Sequence, residues 1–394
     1  MRLEFLVSWR YFATKQKERF ISFISIISIL GVAIGVTALI GTLGVMSGFG
    51  NQLREKIIGA NAHIRINADG PIYDYLAIEE KLKKIPSIVA TTENIYGQAS
   101  VYYGHKTSFV LVRGINPQKE EAVTQIKQYM KAGKFFIKER EIIIGQELAL
   151  QLGVDIGDTL VLGSPVTGQI QEFQVAGIFN SGYYEYDANL IIASLESCQE
   201  FFGLSQGITD IGVKIKDPYL AKEVKKDIYD RIGSQYRIMT WMNINKSLLS
   251  ALRLEKIVMF LVVALVVLVA SFNIISTLIV MITEKTKDIG ILKALGATNF
   301  SIATIFAGGA IYLGFIGLFL GIAGGLLVCL FIKNIHKFIE IPKDIYYFDS
   351  IPVHINHLDL FWIIICAIAI CFLSGIYPAW KAAKLKIADA LRYE

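Results

Sequence analysis

The chain has 394 residues, of which 54% are hydrophobic and 19% are charged, and its mean hydropathy is +0.50. This balance excludes an ordinary soluble domain, which carries more charge at the same length. The net charge of +5 is modest, and basic residues concentrate beside apolar blocks, which indicates membrane topology and not nucleic-acid binding.

Four apolar blocks are long enough to cross a membrane, because a helical span needs roughly 20 apolar residues. They lie at 20–46, 257–282, 300–332 and 360–380, and none contains Asp, Glu, Lys, Arg or His. The first block is too long for a cleaved signal peptide, whose apolar stretch has about 7–15 residues. The chain is therefore predicted to be an α-helical membrane protein with four transmembrane helices.

Basic residues mark three segments as cytoplasmic: 1–19, 283–299 and 381–394. Both termini are then inside the cell. One span precedes, and three spans follow, a large segment on the outer side at 47–256. This 1+3 arrangement predicts a multi-pass protein of a bacterial inner membrane with a periplasmic domain.

The segment 47–256 alternates between strand-like and helix-like stretches. Residues 62–67 alternate apolar and polar side chains, as a half-buried strand does, and 75–85 has the spacing of an amphipathic helix. Further strands are predicted at 108–112, 141–144, 159–162 and 190–193, helices at 146–152 and 220–232, and a hairpin turn at 163–168. The periplasmic segment is predicted to be an α+β domain.

The predicted organisation begins with a cytoplasmic interfacial helix, because apolar residues including Trp9 and Phe12 share one helical face. A plain basic flank is the alternative for this segment. In chain order we predict an interfacial helix 1–19, transmembrane helix 20–46, periplasmic domain 47–256, transmembrane helix 257–282, cytoplasmic helix 283–299, transmembrane helix 300–332, periplasmic loop 333–359, transmembrane helix 360–380 and cytoplasmic tail 381–394.

The predicted spans carry no ionisable group, which argues against a polar solute path through this chain. Asn273 and Ser276 are the most polar pair and are predicted to join helices. Gly317, Gly321 and Gly325 are spaced four apart, a pattern that lets helix backbones approach closely. The ladder predicts either a contact between subunits or packing within the chain.

The stretch Thr283 to Ala297 is too short for a domain but has the pattern of an amphipathic helix. It places Ile289, Leu292, Leu295 and Gly296 on one side, surrounded by charged residues. Such a helix suits insertion into a groove on a partner protein. A helix resting on the membrane surface is the alternative.

Three stretches resemble one known family. The segment EKTKDIGILKALGAT resembles the loop between spans two and three in the permease family that includes the macrolide exporter and the cell-division permease FtsX. The ending YPAWKAAKLKIADALRYE is similar to that family's C-terminal motif. The start, WRYFATKQKERFISFISIISILGVAIGVTALIGTLGVMSGFGNQL, resembles more specifically the lipoprotein-releasing permeases LolC and LolE.

The resemblance implies a permease subunit of an ATP-driven complex that extracts lipoproteins from the outer leaflet and passes them to a periplasmic carrier. It implies two such permeases, as a homo- or heterodimer, with two ABC-type ATPase subunits. This chain has no phosphate-binding loop, since Gly133-Lys134 is followed by Phe135. We therefore expect no cofactor and no enzymatic activity in this chain, with ATP and Mg²⁺ bound by the ATPase partner.

The resemblance also implies site residues. The helix that contacts the ATPase would comprise Glu284, Lys285, Lys287, Asp288, Ile289, Leu292, Lys293, Leu295 and Gly296. An apolar lining for lipoprotein acyl chains is predicted at the top of spans one and two. Its candidates are Leu43, Met46, Phe49, Ile257, Met259, Phe260 and Leu261, for which ordinary lipid-facing or packing positions are the alternative. No catalytic residue and no metal site is predicted.

Two further expectations concern the role within the family. LolC-type proteins have a long hook that recruits the carrier, whereas Gly163 to Gly168 is a short turn here, which favours a LolE-like or ancestral role. Two other functions share the same mechanics within the membrane: an FtsX-like activator of a periplasmic hydrolase, and a drug or peptide exporter that works with an adaptor.

Overall fold

The computed structural model describes residues 8, 19–335 and 351–386. The predicted interfacial helix 1–19 lies almost wholly outside the described residues, as does the end of the tail beyond residue 386. The chain divides into two compact units. We call Asn51–Ala251 the α+β domain, and the unit built from the long helices on either side of it in sequence the helical unit.

Four helices in the described residues are long and apolar enough to cross a membrane. They are α1 (Arg19–Ala60), α9 (Lys246–Glu284), α11 (Asn299–Asn334) and α12 (His357–Ala383), and the short helix α10 (Thr286–Ala294) lies between α9 and α11 in sequence. Helices α1 and α9 extend well beyond the predicted spans. The span boundaries within the bilayer therefore stay predictions.

The α+β domain contains one mixed sheet, which has ten strands in the described residues. Its order is β10-β1-β9-β2-β3-β8-β5-β7-β4, and β6 pairs with β2 and β7. Pairs β3–β8 and β5–β7 are parallel and the others antiparallel. The strands are β1 (Ile64–Ile72), β2 (Ile88–Tyr103), β3 (Lys106–Ile115), β4 (Met130–Gly133), β5 (Glu141–Gly145), β6 (Thr159–Gly163), β7 (Ile170–Phe179), β8 (Leu190–Ser194), β9 (Ile208–Ile215) and β10 (Arg237–Thr240).

Short helices cover this sheet and enclose its apolar core. They are α2 (Tyr75–Leu82), α3 (Pro117–Val123), α4 (Gln146–Leu152), α5 (Tyr184–Asn189), α6 (Leu195–Phe202), α7 (Ala221–Ile232) and α8 (Trp241–Ile244). Gly153 ends α4 and Gly203 ends α6 in the left-handed conformation, which glycine adopts without strain. The core includes Ile66, Ile95 and Ile211 on three neighbouring strands, all fully buried.

The predicted α+β class of this domain is confirmed, and so are the strands and helices predicted within it, with shifts of a few residues at their ends. The predicted turn at 163–168 joins β6 to β7, in which Gly163 pairs with Ile170. Strands β2, β4, β7, β9 and β10 and helices α3, α5, α6 and α8 were not predicted. The sixteen-residue β2 was missed because Thr92, Glu93 and Asn94 are polar but buried where β2 pairs with β9.

The glycine ladder packs within the chain. A side chain at Gly317 would meet Val32 of α1 at 2.7 Å, and one at Gly321 would meet Val36 at 2.6 Å. Gly325 faces Ile40 in the same way. Of the two predicted readings, the structure shows close packing of α11 on α1.

A polar contact joins α1 to α9. The hydroxyl groups of Ser28 and Thr277 lie 2.5 Å apart, and Ser28 also donates to the carbonyl oxygen of Asn273 at 3.2 Å. The side chain of Ser276, in contrast, is exposed, so the predicted pair shifts by one residue to Thr277. A hydroxyl pair of this kind satisfies polar groups where water is absent.

Candidate functional site

The local backbone geometry explains where helix α10 begins and ends. Helix α9 ends at Glu284, and Lys285 leaves helical geometry before α10 begins at Thr286. At the other end Gly296 has φ +99°, a left-handed conformation that favours glycine. Thr298 then caps α11, because its hydroxyl accepts from the Ser301 amide at 3.1 Å.

The predicted apolar stripe of α10 does not form one outward face. Ile289 is 1% exposed and packs with Ile302 and Ala379, and Leu292 packs against the same cluster. Leu295 follows the helix and is 80% exposed, and Gly296 lies in the turn after it. The sequence pattern correctly predicted a helix for Ile289 and Leu292. It could not show that α11 and α12 cover these two residues.

Lys293 is bound within the chain. Its amino group donates to the carbonyl oxygens of Ala383 at 2.6 Å and Leu385 at 2.7 Å, at the C-terminal end of α12. These carbonyls have no partner within the helix, and a cation there complements the helix dipole. Lys293 was predicted as part of the ATPase-contacting helix, and that contact stays a prediction.

The outward surface of α10 and its flanks combines charge with apolar area. Lys285 and Asp288 form an ion pair at 3.4 Å, one turn apart. Glu284 and Lys287 are exposed, as are Ile291 at 48% and Leu295 at 80%. Ile291 was not among the predicted contacts, although its position one turn before Leu295 would have indicated it.

Three helices of the helical unit line an open apolar cavity of about 550 Å³. Each helix contributes residues spaced three or four apart, which is one helical face. The lining comprises Val36, Leu39 and Leu43 of α1, Arg253, Lys256, Ile257 and Phe260 of α9, and Asp359, Trp362, Ile363, Cys366 and Ala367 of α12. A cavity of this size and polarity suits a small apolar ligand or an acyl chain.

Three of the seven predicted lining residues meet at this cavity: Leu43, Ile257 and Phe260. The other four, Met46, Phe49, Met259 and Leu261, do not line it. The whole contribution of α12 was missed. The spacing of Asp359, Trp362, Ile363 and Cys366 could have revealed it, because these residues recur on one helical face.

The charged residues of the lining lie towards the N-terminal ends of α9 and α12. Arg253 and Lys256 precede Ile257 along α9, and Asp359 precedes Trp362 along α12. The opposite ends of both helices lie together, since Lys293, which follows α9, contacts the C-terminal end of α12. The cavity therefore has a charged end and an apolar remainder.

In the α+β domain, a buried ionic network holds the end of α1. Arg113 is 2% exposed, donates to Glu120 at 2.5 Å and reaches the carbonyl oxygen of Ala60, the last residue of α1, at 3.4 Å. Burial opposes the charge on Arg113, but the neighbouring Glu120 carboxylate, together with Tyr96 and Asp210, outweighs burial and raises the pKa of the guanidinium. The Gln125 amide also donates to the carbonyl oxygen of Gly59 at 2.7 Å. These contacts fix the last turn of α1 to the sheet.

Comparison with known proteins agrees with both units. Residues 25–230 match the MacB-like periplasmic core domain, and residues 260–387 match the FtsX-like permease C-terminal domain. The periplasmic region of MacB from Actinobacillus actinomycetemcomitans has 15% identity and a TM-score of 0.35, covering 49% of this chain and 94% of its own. The two family-model matches define the class: a multi-pass permease of the bacterial inner membrane with a MacB-like periplasmic domain.

Full-length relatives narrow the class. The lipoprotein-releasing system transmembrane protein LolC of Xylella fastidiosa is 33% identical, covering 100% of this chain and 99% of its own. The corresponding protein LolE of Haemophilus influenzae is 30% identical, with 99% of each chain covered. The chain belongs to the family of lipoprotein-releasing ABC transporter permeases, as the sequence resemblance predicted.

Proposed function

We propose that the protein is the permease subunit of an ATP-driven complex that extracts lipoproteins from the outer leaflet of the inner membrane. Its cytoplasmic side would carry both termini and α10, and its periplasmic side the α+β domain, in the 1+3 arrangement. ATP and Mg²⁺ would be bound by a separate ABC-type ATPase. A second permease of the same family and a periplasmic lipoprotein carrier would complete the pathway.

The observation that carries the proposal is the cavity between α1, α9 and α12. Its lining is apolar over most of its length, and it includes Leu43, Ile257 and Phe260 from the region predicted for acyl chains. Removing each acyl CH₂ from lipid costs about 0.8 kcal/mol, so extraction needs both an external energy source and an apolar surface that offsets this cost. The cavity supplies that surface.

The contacts of α10 indicate how force would reach the cavity. A push on α10 passes to α9 through the chain and to α12 through Lys293, while Ile289 packs against both α11 and α12. Two of the three cavity walls are thus tied to the same short helix. Movement of α9 and α12 towards α1 would reduce the cavity and expel an acyl chain.

The short β6–β7 connection supports a LolE-like or ancestral role over carrier recruitment. Ser164 and Gln169 close the connection through a backbone hydrogen bond of 2.9 Å, so no extended hook projects there. We expect the purified carrier to bind the full complex without dependence on this turn. Replacement of Val166 and Thr167 by Ser should leave carrier binding unchanged, and a clear loss would assign recruitment to the turn.

Photocrosslinking tests the lipoprotein site. A photoreactive phenylalanine analogue at Phe260 should crosslink to lipoprotein in the assembled complex, because Phe260 lines the cavity. The same analogue at the neighbouring Leu261, which is exposed on another face, serves as the matched control. Crosslinks at Leu261 and none at Phe260 would reject the cavity as the site.

A further inference from the structure

The charged end of the cavity carries an unsatisfied acidic group. The Oδ2 atom of Asp359 is buried and has no hydrogen-bond partner in the described part of the chain. Asp359 is not needed as the helix cap, since Asn356 already accepts from the Leu358 amide at 3.0 Å. A buried carboxylate oxygen without a donor is unfavourable, and a ligand that brings an N–H group would satisfy it.

Two cationic side chains line the same end of the cavity but do not pair with the Asp359 carboxylate. Neither Arg253 nor Lys256 forms an ion pair with Asp359 among the described residues, although all three line the cavity. With two positive groups and one negative group, the end suits a ligand that carries both charges. Basic groups between membrane helices bind the phosphates of lipid headgroups.

The position of Trp362 indicates the depth of this end. Tryptophan is enriched where membrane meets water, at the level of the headgroups. Trp362 lies one turn after Asp359 on the same face of α12. The charged end thus lies where a headgroup would be, with the apolar lining beyond it.

We propose that the cavity binds an aminophospholipid, with its phosphate at Arg253 and Lys256, its ammonium group at Asp359 and an acyl chain along the apolar lining. A lipoprotein would have to displace this resident lipid before extraction. The lipid site stands on the cavity itself, whereas the displacement step rests on the proposed function.

Native mass spectrometry of the purified full-length protein tests the site with matched lipids. Phosphatidylethanolamine and phosphatidylcholine of identical chains differ in the N–H groups that Asp359 would accept. We expect phosphatidylethanolamine to bind at least about tenfold more tightly, as a charge-assisted hydrogen bond allows. The mono- and dimethylated headgroups should fall between them, and this series needs no variant.

Three variants locate the preference. Asp359→Asn should remove it and leave phosphatidylcholine binding within about twofold. The double variant Arg253→Gln and Lys256→Gln should weaken both lipids alike, because both carry the phosphate. Glu255→Gln, on α9 but outside the cavity lining, is the control and should change neither.

Equal binding of the two lipids, or a preference that survives Asp359→Asn, would overturn the proposal. A similar loss of thermal stability for Asp359→Asn in both lipids, with the preference retained, would show that Asp359 serves only the helix. Displacement is measured separately: addition of lipoprotein should release bound phosphatidylethanolamine from the protein. Lipid preference without crosslinks at Phe260 would leave this site standing and reject the proposed function, and crosslinks without lipid preference would do the reverse.

Discussion

Lys293 donates a hydrogen bond of 2.6 Å to the carbonyl oxygen of Ala383, and so joins α10 to the last turn of α12. The two residues are far apart in sequence, and the contact makes α10 part of the helical unit. Helix α10 and one wall of the cavity are therefore directly connected.

Replacing Lys293 by Met should weaken this junction. The loss of a charge-assisted contact at a helix C-terminus predicts destabilisation of roughly 1–2 kcal/mol, measured by thermal unfolding of the full-length protein. We also expect ATP hydrolysis that no longer drives lipoprotein release, with the ATPase still bound. Lys287→Met, on the exposed side of α10, is the matched control for the change in stability. Loss of ATPase binding with unchanged stability would instead show that Lys293 contacts the ATPase.

Helix α10 and its flank offer a second test, because Ile289 is buried within the protein whereas Leu295 is exposed and available to a partner. Ile289→Ala should destabilise the protein by about 2–5 kcal/mol, because it leaves a void among buried residues. Leu295→Ser should change stability by no more than about 0.5 kcal/mol, since Leu295 is 80% exposed. Only the second variant is expected to reduce ATPase capture in a pull-down. Normal capture by Leu295→Ser would exclude this surface.

Gly321→Ala should disturb the packing of α11 on α1. The added carbon would lie 2.6 Å from Cβ of Val36 and 2.9 Å from the carbonyl oxygen of Ala33, so the helices must separate. Overpacking of this kind costs typically about 1–3 kcal/mol. Gly50→Ala in α1 is the control, because a side chain there meets nothing within 4 Å. Equal thermal stability of the two variants would contradict the close contact.

The α+β domain should lose stability on acidification through His63. Burial lowers the pKa of His63, whose Nδ1 lies 3.1 Å from the carbonyl oxygen of Ile215 and 3.3 Å from its amide nitrogen, and which accepts from that amide in the tautomer with Nδ1 unprotonated. The unfolded chain takes up a proton near pH 6.5 and the folded domain does not. The stabilising contribution of neutral His63 is therefore complete above that pH and is lost as the pH falls towards the folded pKa.

His63→Asn, which keeps an acceptor near the same place, should reduce this loss between pH 7.5 and 5.5. Trp241 is the domain's single tryptophan, and its fluorescence in urea unfolding reports the transition once Trp9, Trp362 and Trp380 are replaced by Phe in both proteins. Asp187, whose pKa burial raises, acts in the opposite direction but equally in both proteins. An identical pH dependence of the two unfolding free energies would disprove the role of His63.

Local patterns predicted much of the fold, because they depend on neighbouring residues. The helix at 146–152 was predicted with its observed bounds, since Gly153 ends it in the left-handed conformation. The ionic network could not be predicted from the same patterns. Arg65 alternates with Ile64 and Ile66 as a solvent-facing residue would, yet it is mostly buried and pairs with Asp210 at 2.8 Å. Only the pairing of β1 with β9 brings those two together.

The site was predicted in part for a similar reason. The resemblance located Leu43, Ile257 and Phe260 from their positions at the ends of two spans. The contribution of α12 depends on which helices meet in space, and no local pattern records that. The same limit applies to Ile289, whose burial follows from packing against α11 and α12.

The contact between Val36 and Gly321 makes two distant positions behave as a single steric unit. A larger residue at either place can be accommodated only if the other becomes smaller. Across related permeases, substitutions at these two positions should therefore covary, so that the sum of the two side-chain volumes varies less than either residue does.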